Sequence, residues 1–150
     1  RDNDVLLKTG RTTIYSRLVE GRYPKWRDVF PKTDQMAKVE LTVGPFHTAV
    51  RQAMVVTSEE RRGVDFTFSD GRLTLAGHGA EFGESHVELP IAYEGAEIPV
   101  KLDPRYVSEF LRVLDPDKTF TLYLRDPESA VLCVTDDGYA YVIMPLSRES

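Results

Sequence analysis

Val39-Glu-Leu-Thr-Val-Gly-Pro45 returns 59 residues further on as Ile98-Pro-Val-Lys-Leu-Asp-Pro104. In each copy apolar residues alternate (Val39, Leu41, Val43; Ile98, Val100, Leu102), the period of a half-buried strand. A proline then opens a helix, where its missing N–H is one the first turn leaves unpaired anyway. The second copy carries the better cap, because the Asp103 carboxylate can accept from free amides of that turn. Beyond each proline the apolar residues fall at three-to-four spacing. They are Phe46, Ala49, Val50, Ala53 and Met54 in one copy, and Tyr106, Val107, Phe110, Leu111 and Leu114 in the other.

Working outward, each helix is followed by strands. Thr57 to Arg62 ends the first helix in polar residues, and Val64, Phe66 and Phe68 alternate with polar neighbours. Asp70-Gly71 is a two-residue hairpin signal. Leu73 and Leu75 return, Gly77, Gly79 and Gly83 read as a flexible connection, and Ser85 to Ile91 is a third strand. After the second helix, stopped by Asp115-Pro116, strands are predicted at Thr119–Arg125, Ala130–Thr135 and, past Asp137-Gly138, Tyr139–Leu146. Each half reads strand, helix, three strands. Two such halves predict a pseudo-symmetric α+β domain over 37–150, with both helices on one face. The closing run, Tyr139-Ala-Tyr-Val-Ile-Met-Pro-Leu146, is apolar where chain ends usually fray. It is expected to serve both as a last strand and as a surface that a partner binds.

Ahead of the repeat, residues 5–8 and 12–19 read as strands joined at Gly10. Gly21, Pro24 and Pro31 bracket a short aromatic segment, one helical turn at most, and 32–35 is a polar linker. A boundary near here sets 1–32 apart from 37–150.

With 41% hydrophobic and 29% charged residues among 150, the composition is that of a soluble globular chain. No run is long enough to span a membrane, and no leader pattern precedes Val5. A chain opening Arg1-Asp2-Asn3 rather than Met is expected to be a piece of a longer one. The single cysteine, Cys133, excludes an internal disulfide and fits a reducing, cytoplasmic setting. A net charge of −5 argues against polyanion binding by the chain as a whole, but leaves room for a local basic face.

Catalytic constellations are missing from the pattern. His47, His78 and His86 have no second ligand at zinc-site spacing, and read as surface or partly buried histidines. Gly77-His-Gly79 lacks the strand-to-helix context and the Lys-Ser/Thr of a phosphate loop. Asp136-Asp137-Gly138 lacks the further ligands of a calcium loop and reads as a turn. Cys133 alternates with Val131 and reads as core. No catalytic residue, metal or cofactor is therefore expected. The helices carry a mild basic bias through His47, Arg51, Arg105 and Arg112, with Arg61 and Arg62 at the first helix's end, opposed by Glu59, Glu60 and Glu109. That is too weak for tight phosphate binding, but suits a surface past which DNA slides.

Four stretches in order carry a resemblance: Gly21-Arg-Tyr-Pro-Lys-Trp-Arg-Asp-Val-Phe-Pro31, Arg62-Gly-Val64, Tyr93-Glu-Gly-Ala-Glu97 and Ala140-Tyr-Val-Ile-Met-Pro-Leu146. Together they resemble the end of the bacterial DNA polymerase III β subunit, the sliding clamp. Residues 1–32 resemble the last strands and exit segment of its middle domain, and 37–150 its third domain, so the repeat is the DNA-clamp domain plan. The resemblance implies a non-enzymatic, cytoplasmic homodimeric ring that encircles duplex DNA and tethers the replicative polymerase. It implies a pocket for short peptides of the polymerase III α subunit, the clamp-loader δ subunit and other clamp-binding proteins. This chain's share of that pocket would be Pro24, Val29, Tyr106, Val142, Ile143, Met144, Pro145 and Leu146, a set of apolar residues suited to a small anchor site. The DNA-facing residues would be His47, Arg51, Arg105 and Arg112. Val55 and Val56 resemble the apolar pair at the ring interface, with ordinary core packing as the competing reading.

Three departures from that pattern stand out. Asp28 occupies a place that often holds a basic residue. Ser147 to Ser150 extends beyond the usual end. The first domain and most of the middle one are missing. Two other readings stay open: an enzyme domain with an unrecognised site, and a stand-alone protein-binding module with the clamp-domain fold and no ring.

Overall fold

The structure, a computed structural model, describes residues 3–23, 25–79 and 83–147. β1 (Asp4–Thr9) and β2 (Thr12–Arg17) form an antiparallel hairpin and a two-stranded sheet of their own. Gly10 makes its turn at a φ of 49°, where glycine pays no Cβ penalty. The bracketed aromatic segment contains a single 3-10 turn, Trp26–Val29.

The repeat is present. β3 (Ala37–Thr42) runs into α1 (Val43–Ala53), followed by β4 (Val64–Ser69), β5 (Arg72–Gly79) and β6 (Gly83–Pro90). β7 (Ile98–Leu102) runs into α2 (Pro104–Leu111), followed by β8 (Thr119–Leu124), β9 (Val131–Val134) and β10 (Ala140–Ile143). The two helix starts differ. Pro104 opens α2, and the Asp103 carboxylate accepts from the Arg105 amide at 3.0 Å. α1 begins two residues before Pro45, so Val43 is its first residue and not the last of a strand. No side chain caps it. The loop after α2 takes that role: the Val43 and Gly44 amides donate to the Lys118 and Pro116 carbonyls, each at 2.9 Å.

Pairing crosses between the halves. The two four-stranded sheets run β10-β9-β8-β3 and β6-β5-β4-β7. Each half's opening strand therefore completes the other half's sheet. Val39 lies opposite Leu122 and Leu41 opposite Phe120, while Val100 lies opposite Phe66. The shared core is joined by aromatic contacts. Phe46 of α1 meets Phe66 and Phe120, Phe120 meets Phe110 of α2, and Phe110 stacks on Tyr139 and Tyr141.

Gly77 and Gly79 belong to a strand and not to a loose connection. They lie within β5, beneath the 3-10 turn Met54–Val56 that prolongs α1. The Ser85 hydroxyl donates to the Ala53 carbonyl at 2.7 Å and accepts from the Gly77 amide at 3.1 Å, closing the helix end onto the sheet. A Cβ on Gly77 would stand 2.5 Å from the Ala53 oxygen and 2.6 Å from the Ser85 hydroxyl, and one on Gly79 would collide with the Val56 carbonyl. These glycines are spacers for close backbone approach. Gly77→Ala is expected to cost about 1–3 kcal/mol through forced displacement of the turn. Urea unfolding would measure it, and an unchanged midpoint would show that the turn moves freely.

Candidate functional site

β10 stops at Ile143, and the chain beyond it leaves the sheet. Ile143 is 3% exposed and belongs to the core, so its side chain is not offered to a partner. Val142 is half-buried, also within the strand. The reason is the pairing of Val142 with Leu132 and of Ile143 with Val131, which draws both into the sheet. Met144 is 63% exposed, and Pro145 and Leu146 are half-buried.

The tail crosses to the other sheet. The Leu146 amide donates to the Lys101 carbonyl on β7 at 2.8 Å, linking the outer strand of one sheet to the outer strand of the other. Gly63 lies beneath this crossing. A Cβ there would run into the Lys101 side chain and come within 3.2 Å of Leu146 Cδ1. The result is a groove of about 630 Å³ lined by Arg61, Arg62, Gly63, Lys101, Tyr106 and Leu146, among others. Tyr106 is half exposed at its wall. It stands off the buried face made by Val107, Phe110 and Leu111, contrary to its expected place there. A flat ring with a polar tip suits an anchor site that is apolar within and wet at the rim.

Asp103 is buried at the groove's edge and grips the Arg105 guanidinium with both oxygens (Nε–Oδ1 3.0 Å, Nη2–Oδ2 2.7 Å). Burial pushes its carboxyl pKa up, but the hydrogen bonds and charge of Arg105 outweigh this and hold it below the ordinary value. The Arg62 Nε donates to the Glu59 carbonyl at 2.6 Å.

The structure thus brings Tyr106 and Leu146 together in one groove. Pro145 and Leu146 also border a neighbouring depression with Pro127 and Glu128. Val29 is exposed on its 3-10 turn, and neither it, Val142 nor Met144 lines the groove. Pro24 lies outside the described residues, as do the last three residues of the tail. Arg61, Arg62, Gly63 and Lys101 were not among the expected site residues. The available signals were the Arg62-Gly63 break between a helix end and a strand, and the outward position of Lys101 between Val100 and Leu102.

On the helical face, His47 Nε2 and Ser108 Oγ meet at 3.1 Å and bridge α1 to α2. Arg51 lies one turn beyond His47 and Arg112 one turn beyond Ser108, both exposed. Arg105 is engaged by Asp103. Val55 and Val56 part company: Val55 is 75% exposed, whereas Val56 is 8% exposed and packed over Gly77 and Gly79. Among the described residues no group of three or more His, Cys, Asp or Glu could hold a metal. Burial pushes the Cys133 thiol up to about 12, which makes it inert. No helix is long and apolar enough to cross a membrane.

A family model described as "DNA polymerase III beta subunit, C-terminal domain" matches residues 27–147. The beta sliding clamp of Pseudomonas putida is 28% identical over 144 residues, covering 92% of this chain and 38% of that protein. The beta sliding clamp of Escherichia coli K12 is 28% identical over 146 residues, covering 96% and 39%. The solved DNA polymerase sliding clamp of Caulobacter crescentus matches with a TM-score of 0.86 at 26% identity, covering 97% of this chain and 39% of that one. The DNA polymerase III subunit beta of Pseudomonas aeruginosa matches with a TM-score of 0.85 at 24% identity, covering 97% and 40%. The chain spans about two fifths of the length of the curated relatives it matches. The α+β arrangement of paired halves is the fold of these structures.

Proposed function

This chain belongs to the DNA polymerase III β-subunit family, and on that premise we propose that it is the C-terminal part of a non-catalytic sliding clamp. In this reading two full-length subunits close into a ring around duplex DNA in the cytoplasm and tether the replicative polymerase. Residues 37–150 act as the third domain, and 1–32 as the last strands and exit segment of the middle one. The observation that carries the reading is the side-by-side packing of α1 and α2, bridged by His47 and Ser108, on a domain of two exchanged sheets. It offers one helical face with Arg51 and Arg112 exposed, suited to facing phosphates without base contacts. A topological link needs only such a weakly basic lining, so the net charge of −5 is no obstacle.

The groove beside Tyr106 and Leu146 is the proposed seat for short apolar-aromatic segments of the polymerase α subunit, the clamp-loader δ subunit and other clamp-binding proteins. Met144 and Pro145 adjoin Leu146 in the chain, and Val29 is assigned to the same seat by its place in the family pattern. Val55 supplies an exposed apolar residue for the ring interface. The test of the ring uses the full-length protein loaded on nicked circular DNA. It should stay bound through gel filtration at high salt and be lost when the circle is cut. Retention on the linear form would overturn the topological reading.

A further inference from the structure

The groove has a charge pattern that the apolar anchor residues do not explain. Arg61, Arg62 and Lys101 are among its lining residues. Among the described residues none of these three cations is ion-paired to a carboxylate, whereas Arg72, Arg105 and Arg125 are. Two acidic side chains share the lining, Asp103 and Glu60. Asp103 is held by Arg105, and its charge also reaches Arg62. Among the described residues the lining therefore sets three cations without an ion pair against Glu60 and the Arg105-bound Asp103. Lys101 is held in place, because its stem lies over Gly63 and its carbonyl accepts from Leu146. Arg62 is fixed through its Nε on the Glu59 carbonyl, which leaves its terminal nitrogens to a ligand. His78, also in the lining, lies 3.5 Å from Glu84.

Resting on the peptide-docking reading above, we propose that this groove selects among partner peptides by charge, favouring those whose apolar anchor is flanked by acidic residues. The anchor would sit against Tyr106 and Leu146, while flanking Asp or Glu side chains meet Arg61, Arg62 and Lys101. Guanidinium groups suit this task, since their planar forks match carboxylates. Contacts at an exposed rim decide partner choice and encounter rate more than total affinity.

The test uses three synthetic peptides with one aromatic-aliphatic anchor and Asp-, Ser- or Lys-containing flanks, titrated against the chain by fluorescence anisotropy. The acidic peptide should bind about tenfold more tightly than the lysine one at low salt, three exposed charge pairs each adding a little. The gap should shrink as salt screens the rim. In the double variant Arg61→Glu, Arg62→Glu the order of the acidic and lysine peptides should reverse, and since both sites are exposed, unfolding does not confound the result. Equal affinities for all three peptides, or an order that ignores the double variant, would overturn charge selection while peptide docking stands. Failure of even the serine peptide to bind would overturn the docking reading itself.

Discussion

Phe120→Ala is expected to remove about 3–5 kcal/mol of stability. Phe120 is 2% exposed on β8, with its ring 5.8 Å from that of Phe46 and 5.2 Å from that of Phe110. Through it a strand of one sheet touches both helices. Truncation removes the transfer energy of the ring and leaves a cavity that neither helix can fill. α1 is held by Lys118, Pro116 and Ser85, and α2 by its Asp103 cap. Since domains of this size are held by about 5–15 kcal/mol, the loss is a large share of the whole. Phe120→Leu should cost distinctly less, because most of the volume is kept. Urea unfolding of the two variants measures both. An alanine cost under about 1 kcal/mol would mean that the helices collapse into the gap and that the aromatic chain is not what joins the halves.

Phe120 also marks how far the sequence could be read. The strand predicted at Thr119–Arg125 includes it, and the 59-residue repeat placed that strand in the second half. Nothing in the periodicity of either half said that β8 would pair with β3 of the other. Period-2 patterning tells which face is buried, not which strand lies alongside. The same limit explains the glycines. Gly77 and Gly79 interrupt an alternating pattern, and local rules assign such residues to a loop. Their cause is a turn 21 to 25 residues earlier in the chain that must come within backbone contact. The Asp103 cap was legible, because capping is settled within two residues, but its grip on the Arg105 side chain was not. Val43 was not, because its amide is satisfied by Lys118 from across the repeat. At the groove, Tyr106 and Leu146 came from resemblance to a family. Arg61 and Arg62 were visible as a basic helix end, but their place in one groove with Lys101 came only from the structure.

Met144→Glu is expected to weaken binding of an apolar-anchor peptide by more than about tenfold while leaving stability within about 0.5 kcal/mol. The two readouts separate because of where β10 ends. Met144 is 63% exposed, past the last sheet pair, and contributes little to the fold. A carboxylate there would have to be desolvated against an apolar anchor, with no partner within the peptide. Ile143→Glu, one residue earlier, should do the reverse. Its side chain is 3% exposed among core residues, so a charge there should unfold the domain. Circular dichroism in urea and peptide anisotropy on both variants give four numbers. If Met144→Glu unfolds the chain, the tail is part of the core and the apolar run has a single role. If it folds and binds the peptide undiminished, the anchor sits nearer Tyr106 and the groove floor, and Met144 lies outside the seat. Loss of binding with an intact fold would establish that the strand and the docking surface divide between Ile143 and Met144.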